Sequence, residues 1–310
     1  MKMFIFTLLV LPLIVEEVRA GDTLLIRDIT IISAERTEPL QHASVLIEDG
    51  IIREIITADS ARDADRIIYG AGRYLVPDLI DSHVHLGSNA GMRGEQLRKN
   101  EAMLDSFRQR EPLNYLAFGF TTLIDVAKTQ RFGDAWNAQA LRPDLHFCIG
   151  VPFANGYGMA FEPEETRFNT PYFLYDPDQA DVIPDTIRPE DYSPTAVVKK
   201  IAKTDAICVK SYYEEGFAGL FDFPVPPLDL ILELVHEAHE NNLVVLLHSN
   251  ALTAQKFAVD AGIDVLAHGP WHWDQWNAER EVSGSISQIL DDVVDQGMTI
   301  QVTAQVIYGE

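Results

Sequence analysis

Leu75-Val-Pro-Asp-Leu-Ile-Asp-Ser-His-Val-His-Leu86 is the stretch on which the reading of this chain turns. Side chains alternate across a strand with a period of two, so His83 and His85 leave the same face and their imidazoles can converge on one ion. The apolar Leu79-Ile80 entering the pair, and Pro77 punctuating its start, describe a buried strand that ends in function. The competing reading is two ordinary polar residues in a loop, and spacing alone leaves both open.

Three later residues repeat the arrangement. Lys210 closes the apolar run Ala206-Ile-Cys-Val-Lys210, His248 closes Leu243-Val-Val-Leu-Leu-His248, and His268 closes Val265-Leu-Ala-His268. Each sits at the C-terminal end of a short hydrophobic run, where a parallel-barrel strand delivers its functional side chain. Singly, each is an ordinary hydrogen-bonded or solvated residue. Together, in this order after an HxH pair, they resemble the amidohydrolase superfamily, in its imidazolonepropionase-like and Xaa-Pro dipeptidase-like branch. Asp78 stands where that family usually has glycine.

The resemblance implies a (β/α)8 TIM-like barrel with a small β-sandwich, an α/β fold. It implies a metal site of His83, His85, Lys210, His248 and His268, with Lys210, His248 and His268 also carrying the catalytic role. The lysine of that branch is carboxylated and bridges two divalent cations. A buried lysine has its pKa lowered by desolvation, and the neutral amine is the form that reacts with carbon dioxide. Neutral imidazoles with an oxygen bridge suit zinc, with manganese, cobalt and iron open on ligand type. The implied reaction is hydrolysis of an amide, lactam, peptide or ester through a metal-bound hydroxide. Tyr212, two residues beyond Lys210 on the same side of its strand, is a candidate substrate contact, with a packing tyrosine at the rim as the alternative.

The rest of the chain fits this outline. Its 310 residues suit a barrel of about 250 residues with a small appended domain. Residues 21–76 read as short strands with tight turns, among them a hairpin at Glu48-Asp-Gly50, and resemble the N-terminal part of the small sandwich. From 77 to 310, strands near 79–86, 121–127, 145–151, 206–213, 243–249, 264–268 and 298–306 alternate with helical stretches, giving barrel strands one to seven. The stretch Pro227 to Glu240 is one such helix, with Leu228, Ile231, Leu232, Val235 and Ala238 as its apolar stripe. His236-Glu-Ala-His239 within it is one residue short of the zinc-protease spacing and reads as a solvated face. Residues 152–194, rich in Pro, Asp, Tyr and Phe, form a long irregular stretch, read as a lid or pocket wall or else a surface insertion. Trp271-His-Trp-Asp-Gln-Trp276 follows the sixth strand and is a candidate for the same mouth.

The family pattern also ends an eighth strand with a metal-binding, proton-relaying aspartate. Asp264 and Asp274 lie in the wrong order to supply it. The expectation is therefore a C-terminally incomplete barrel with little activity of its own, or a non-catalytic metal-binding remnant. Lys2, the apolar Phe4–Val15 and Val18-Arg-Ala20 read as a signal peptide over 1–20, hence an exported protein. That apolar run is short of the roughly twenty residues of a membrane span. A formal charge of −23 argues against nucleic acid and anionic membranes as partners and leaves a small molecule or short peptide. Cys148 and Cys208 read as buried thiols, with a bridge between them left open.

Overall fold

The computed structural model describes residues 22–57, 62–88, 91–92, 95–216, 221–270 and 282–303. The signal-peptide reading, the Trp271–Trp276 segment and Asp274 lie outside them. The chain divides into two compact units, Met1–Pro77 and Asp78–Glu310.

The first unit is one mixed sheet of β1 (Thr23–Ile31), β2 (Leu40–Glu48), β3 (Ile51–Ile56), β4 (Arg66–Tyr69) and β5 (Tyr74–Leu75). β1 pairs antiparallel with β2 and parallel with β4 and β5. The expected sandwich is thus a single sheet among the described residues, with Ile29, Ile31, Ala43 and Val45 as its core. The hairpin between β2 and β3 turns on Asp49 and Gly50, both at positive φ (53° and 75°), which makes it the turn whose twist matches paired strands. The stretches 23–28 and 29–32, read as separate strands, are one strand interrupted at Asp28, where φ is 52° and the register slips.

The second unit alternates strand and helix: β6 (Leu79–Val84), α1 (Glu95–Lys99), α2 (Glu101–Ala117), β7 (Phe120–Asp125), α3 (Gln130–Asn137), β8 (Asp144–Gly150), α4 (Pro194–Ile201), β9 (Cys208–Tyr212), α5 (Leu228–Glu240), β10 (Val244–His248), α6 (Leu252–Asp260), β11 (Val265–Leu266), α7 (Gly284–Asp295) and β12 (Thr299–Ile300). The seven strands run parallel in strict sequence order, β6 to β12, as successive right-handed β/α units require. The sheet curls: the rings of His83, at the end of β6, and His268, just past β11, have centroids 5.0 Å apart. Gln301, one residue past β12, reaches back so that its Nε2 donates to the Ser82 carbonyl at 2.7 Å. The ladder is not closed among the described residues, since β6 and β12 each have one strand neighbour.

Two layers fill the curl. Under the helices lies the main core, where Val209, Val245 and Leu247 meet Val197, Ile201, Ile231, Leu234 and Ala258. On the inner face, Val126, Cys148, Cys208, Leu246 and Ala267 pack together. Cys148 and Cys208 stand opposite each other on β8 and β9 and are joined as a disulfide. The reading as buried free thiols is corrected there: parallel strands in register bring the two Cα atoms to 4.4 Å, within bridging reach. In α5 the buried face is Ile231, Leu234, Val235 and Ala238, while Leu228 and Leu232 are exposed. The stripe is rotated toward Leu234 relative to the sequence reading. His236 is exposed and His239 pairs with Asp264 at 3.0 Å. Residues 152–194 hold two short 3-10 turns, Pro177–Val182 and Pro189–Tyr192, around a core of Ala154, Met159, Phe173 and Ile183.

Candidate active site

The C-terminal ends of β6, β9, β10 and β11 gather the residues singled out in the sequence. The β6 backbone enters without strain: Asp78 is not among the residues at positive φ, and its carboxylate accepts from the Thr121 hydroxyl. The departure from glycine therefore costs the turn nothing. His83 and His85 lie with ring centroids 5.5 Å apart, and His248 and His268 lie 4.7 Å apart. His268 Nε2 stands 3.0 Å from His248 Nδ1. Among the described residues no group of three His, Cys, Asp or Glu is arranged to hold an ion as it stands; the imidazoles contact one another instead.

Lys210 is 2% exposed, its neighbours across the ladder being Gly150 and Leu246. Burial pushes its amine down to about 7, with Asp125 opposing the shift. The same burial, aided by the charge of Lys210, lowers His83 to about 3 and His85 to about 4. His268 is also driven well below its ordinary value, by burial and by His248. These groups lie close enough together that each disfavours charge on the others. Tyr212 packs beside them, its ring centroid 5.8 Å from Lys210 Nζ and 6.1 Å from the His248 ring. Burial keeps its phenol protonated far above the usual range.

Several residues of the site escaped the sequence reading. Glu214, two residues past Tyr212, is 5% exposed. Its carboxylate lies 3.2 Å from His248 Nε2, accepts from Asn250 Nδ2 at 3.1 Å, and accepts from the Gly216 amide. Burial pushes Glu214 up, but these bonds outweigh it and leave the carboxyl below its ordinary range. Asp125, wholly buried at the end of β7, accepts the amides of Leu86 at 2.6 Å and Ala127 at 3.0 Å, so it fixes the backbone just beyond His85. Tyr157 stacks on His248 at 4.5 Å, and Gln301 Oε1 contacts His83 Nδ1 at 2.8 Å. Only Asp125 carried the signal used for Lys210, a polar residue closing an apolar run, Thr122-Leu-Ile-Asp125.

No protein-family model matches the chain. Over 47 residues, 15% of this chain and 11% of the relative, the sequence is 43% identical to the 5′-deoxyadenosine deaminase of Methanothermobacter thermautotrophicus. Among solved structures, the ochratoxinase of A. niger is similar over 94% of this chain and 67% of its own, with a TM-score of 0.67 and 20% identity. A Xaa-Pro dipeptidase with methionine in its active site is similar over 90% and 66%, with a TM-score of 0.64 and 20% identity. An amidohydrolase is similar over 91% and 66%, with a TM-score of 0.65 and 20% identity. The chain thus spans about two thirds of the length of these structures. What these likenesses show is a shared fold.

Proposed function

We propose that the strand ends of β6, β9, β10 and β11 form a two-metal hydrolase site. His83, His85 and a carboxylated Lys210 would hold one divalent cation; the same carbamate with His248 and His268 would hold the other. Lys210 carries this reading: a lysine 2% exposed, with its amine near 7, among imidazoles kept neutral. Burying an ammonium without a close carboxylate is costly, whereas a neutral amine can take up carbon dioxide, and neutral imidazole is the ligating form of histidine. The donor set fits zinc, with its four imidazole nitrogens and a shared oxygen bridge.

When bound, such cations lower the pKa of water to near neutrality and polarise the carbonyl under attack. The protein's own groups do the rest. With His248 Nε2–H donating to Glu214, the Nδ1 lone pair is turned toward His268 and the shared space between them. The Tyr212 hydroxyl, protonated at any physiological pH, is a donor for the substrate carbonyl oxygen. Asp125 holds the backbone that carries His83 and His85. The reaction is hydrolysis: water adds at the carbonyl carbon, the C–N or C–O bond breaks, and the amine or alcohol leaves with a proton.

A small amide or short peptide is the favoured substrate, in keeping with the Xaa-Pro dipeptidase, prolidase and ochratoxinase among the similar structures. We further propose export, which the Cys148–Cys208 bridge supports, because disulfides persist mainly in oxidising compartments. The test of the site is elemental analysis of mildly purified protein beside hydrolysis of dipeptides and N-acyl amino acids. About two divalent cations per chain with chelator-sensitive turnover is the expected result. Absence of stoichiometric metal sinks the reading, and metal without turnover leaves a non-catalytic metal-binding protein.

A further inference from the structure

β6 carries the histidine pair at its far end, where the sheet holds it from one side. Its strand neighbour is β7, and the register between the two shifts between Asp81 and Val84. At the exit the Val84 carbonyl accepts the Val126 amide at 3.2 Å. The next two amides turn to carboxylates: Leu86 donates to Asp125 at 2.6 Å, and Gly87 donates to Glu111 Oε2 at 2.8 Å. The Gly87 carbonyl in turn accepts from Arg108 Nε at 3.2 Å. Residue 87 is thus gripped at both of its backbone groups by α2, through side chains three residues apart and so on one face of that helix.

The grip falls where the chain has most freedom. Gly87 has a φ of 62°, and glycine loses more conformational entropy on being fixed than any other residue. Glu111 takes this place at a cost. It is 7% exposed, and burial pushes its carboxyl up against the opposing pull of the Gly87 amide, Lys128 and Arg108. Nor does it serve as filler, because it borders a cavity of about 310 Å³ shared with Phe132, Ala135 and Trp136. A buried carboxylate beside open, largely apolar space is poor packing. Accepting the Gly87 amide is what the position gains from it.

We infer that Glu111 is a positioning residue for the His83–His85 half of the site. By holding the Gly87 amide it fixes the turn that leaves His85, and with it the direction of the histidine pair. Strand pairing on both sides does the same work for Lys210 and His248. The inference rests on the proposed two-metal site, and it assigns Glu111 an effect on the ion between His83, His85 and Lys210 rather than on the ion held by His248 and His268.

The test is zinc binding against a series of competing chelators, on the full chain and on Glu111→Leu, Glu111→Asp and Glu111→Gln, each also made with His85→Ala. Leucine removes the acceptor, aspartate keeps the charge but shortens the reach by one methylene, and glutamine keeps a carbonyl that can accept the amide. Glu111→Leu and Glu111→Asp should weaken one of the two ions by about tenfold, as loss of an outer partner does, and Glu111→Gln should retain most of the affinity. With His85 already replaced, none of the three should have a further effect, because the ion they act on is gone. A Glu111 that only stabilised the fold would weaken both ions and act on the His85→Ala protein as well, and that result overturns the inference. So does Glu111→Gln behaving like Glu111→Asp, a comparison that stands even where Glu111→Leu does not fold. If the wild-type protein binds no zinc, the two-metal reading fails separately and hydrogen exchange decides. Faster exchange of the Leu86 and Gly87 amides in Glu111→Asp than in Glu111→Gln, with the Tyr213 amide unchanged, sustains the positioning role, and equal exchange overturns it.

Discussion

The two halves of the candidate site are built differently. Lys210, His248 and His268 stand on interior strands, and each is at most 7% exposed. His83 and His85 stand on β6, an edge strand whose Leu79 and Ile80 are 46% and 61% exposed, and His85 itself is exposed. The interior half also has partners fixed by burial, Glu214 on His248 with Asn250 donating in turn to Glu214, whereas His83 is met by Gln301 from just past β12. The difference teaches that pairing on both sides gives a strand-end group full burial, whereas the edge histidines, although burial also holds them neutral, keep one side open to solvent.

That contrast can be broken most directly at Lys210. If the proposed site is right, Lys210→Ala should lower metal content from about two to at most one per chain and reduce turnover by about 10³-fold or more, because it would remove the proposed bridge between cations. Unaltered metal content would show that the bridging role is misassigned. In stability, Leu247→Ala on β10, a fully buried position, should cost about 2–5 kcal/mol in urea unfolding. Ile80→Ala on β6 should stay within about 0.5 kcal/mol. Equal costs would mean that β6 is covered in solution.

The pH dependence of the metal-free protein separates the halves again. His83 and His85, lowered to about 3 and 4, stay neutral in the fold while an unfolded imidazole charges near 6.5. As pH falls below that value the unfolded chain takes up protons first, so stability is full above it and declines toward the folded values. A fully buried imidazole would contribute about 1.4 kcal/mol per pH unit, and solvent screening reduces this at His85. Urea midpoints measured at pH 7, 6 and 5 should fall steadily, and His268→Gln should flatten the decline more than His85→Gln. At Glu214, Glu214→Gln should weaken the second cation by about 10-fold, toward the low end of what outer partners of a ligating histidine contribute. Competition with a chelator reads this, and an unchanged affinity would leave Glu214 a packing residue. The smallest effect expected is at the edge itself, where Ile80→Lys should reduce concentration-dependent self-association seen in sedimentation.

What was legible in the sequence follows the same division. Strand order and the strand-end positions of Lys210, His248 and His268 could be read because each closes an apolar run, and the shared face of His83 and His85 because they are two apart on a strand. Glu214, Asn250 and Gln301 lie in loops beyond the strands, where no periodicity marks which polar side chain turns inward. The α5 stripe was misplaced by one helical position at Leu234, because several adjacent leucines fit the helical period equally well. The Cys148–Cys208 bridge depended on the register between β8 and β9, a quantity that two separate runs do not contain.

That bridge has a further consequence for how the molecule comes apart. It spans 60 residues of sequence, a loop whose closure is worth roughly 4 kcal/mol of denatured-chain entropy in the simplest treatment. The enclosed span contains the whole irregular segment 152–194 with its two 3-10 turns. A protease that nicks this segment would therefore leave two polypeptides travelling as one. They would migrate together without reductant and separate on its addition, the irregular segment cut but still tethered through β8 and β9.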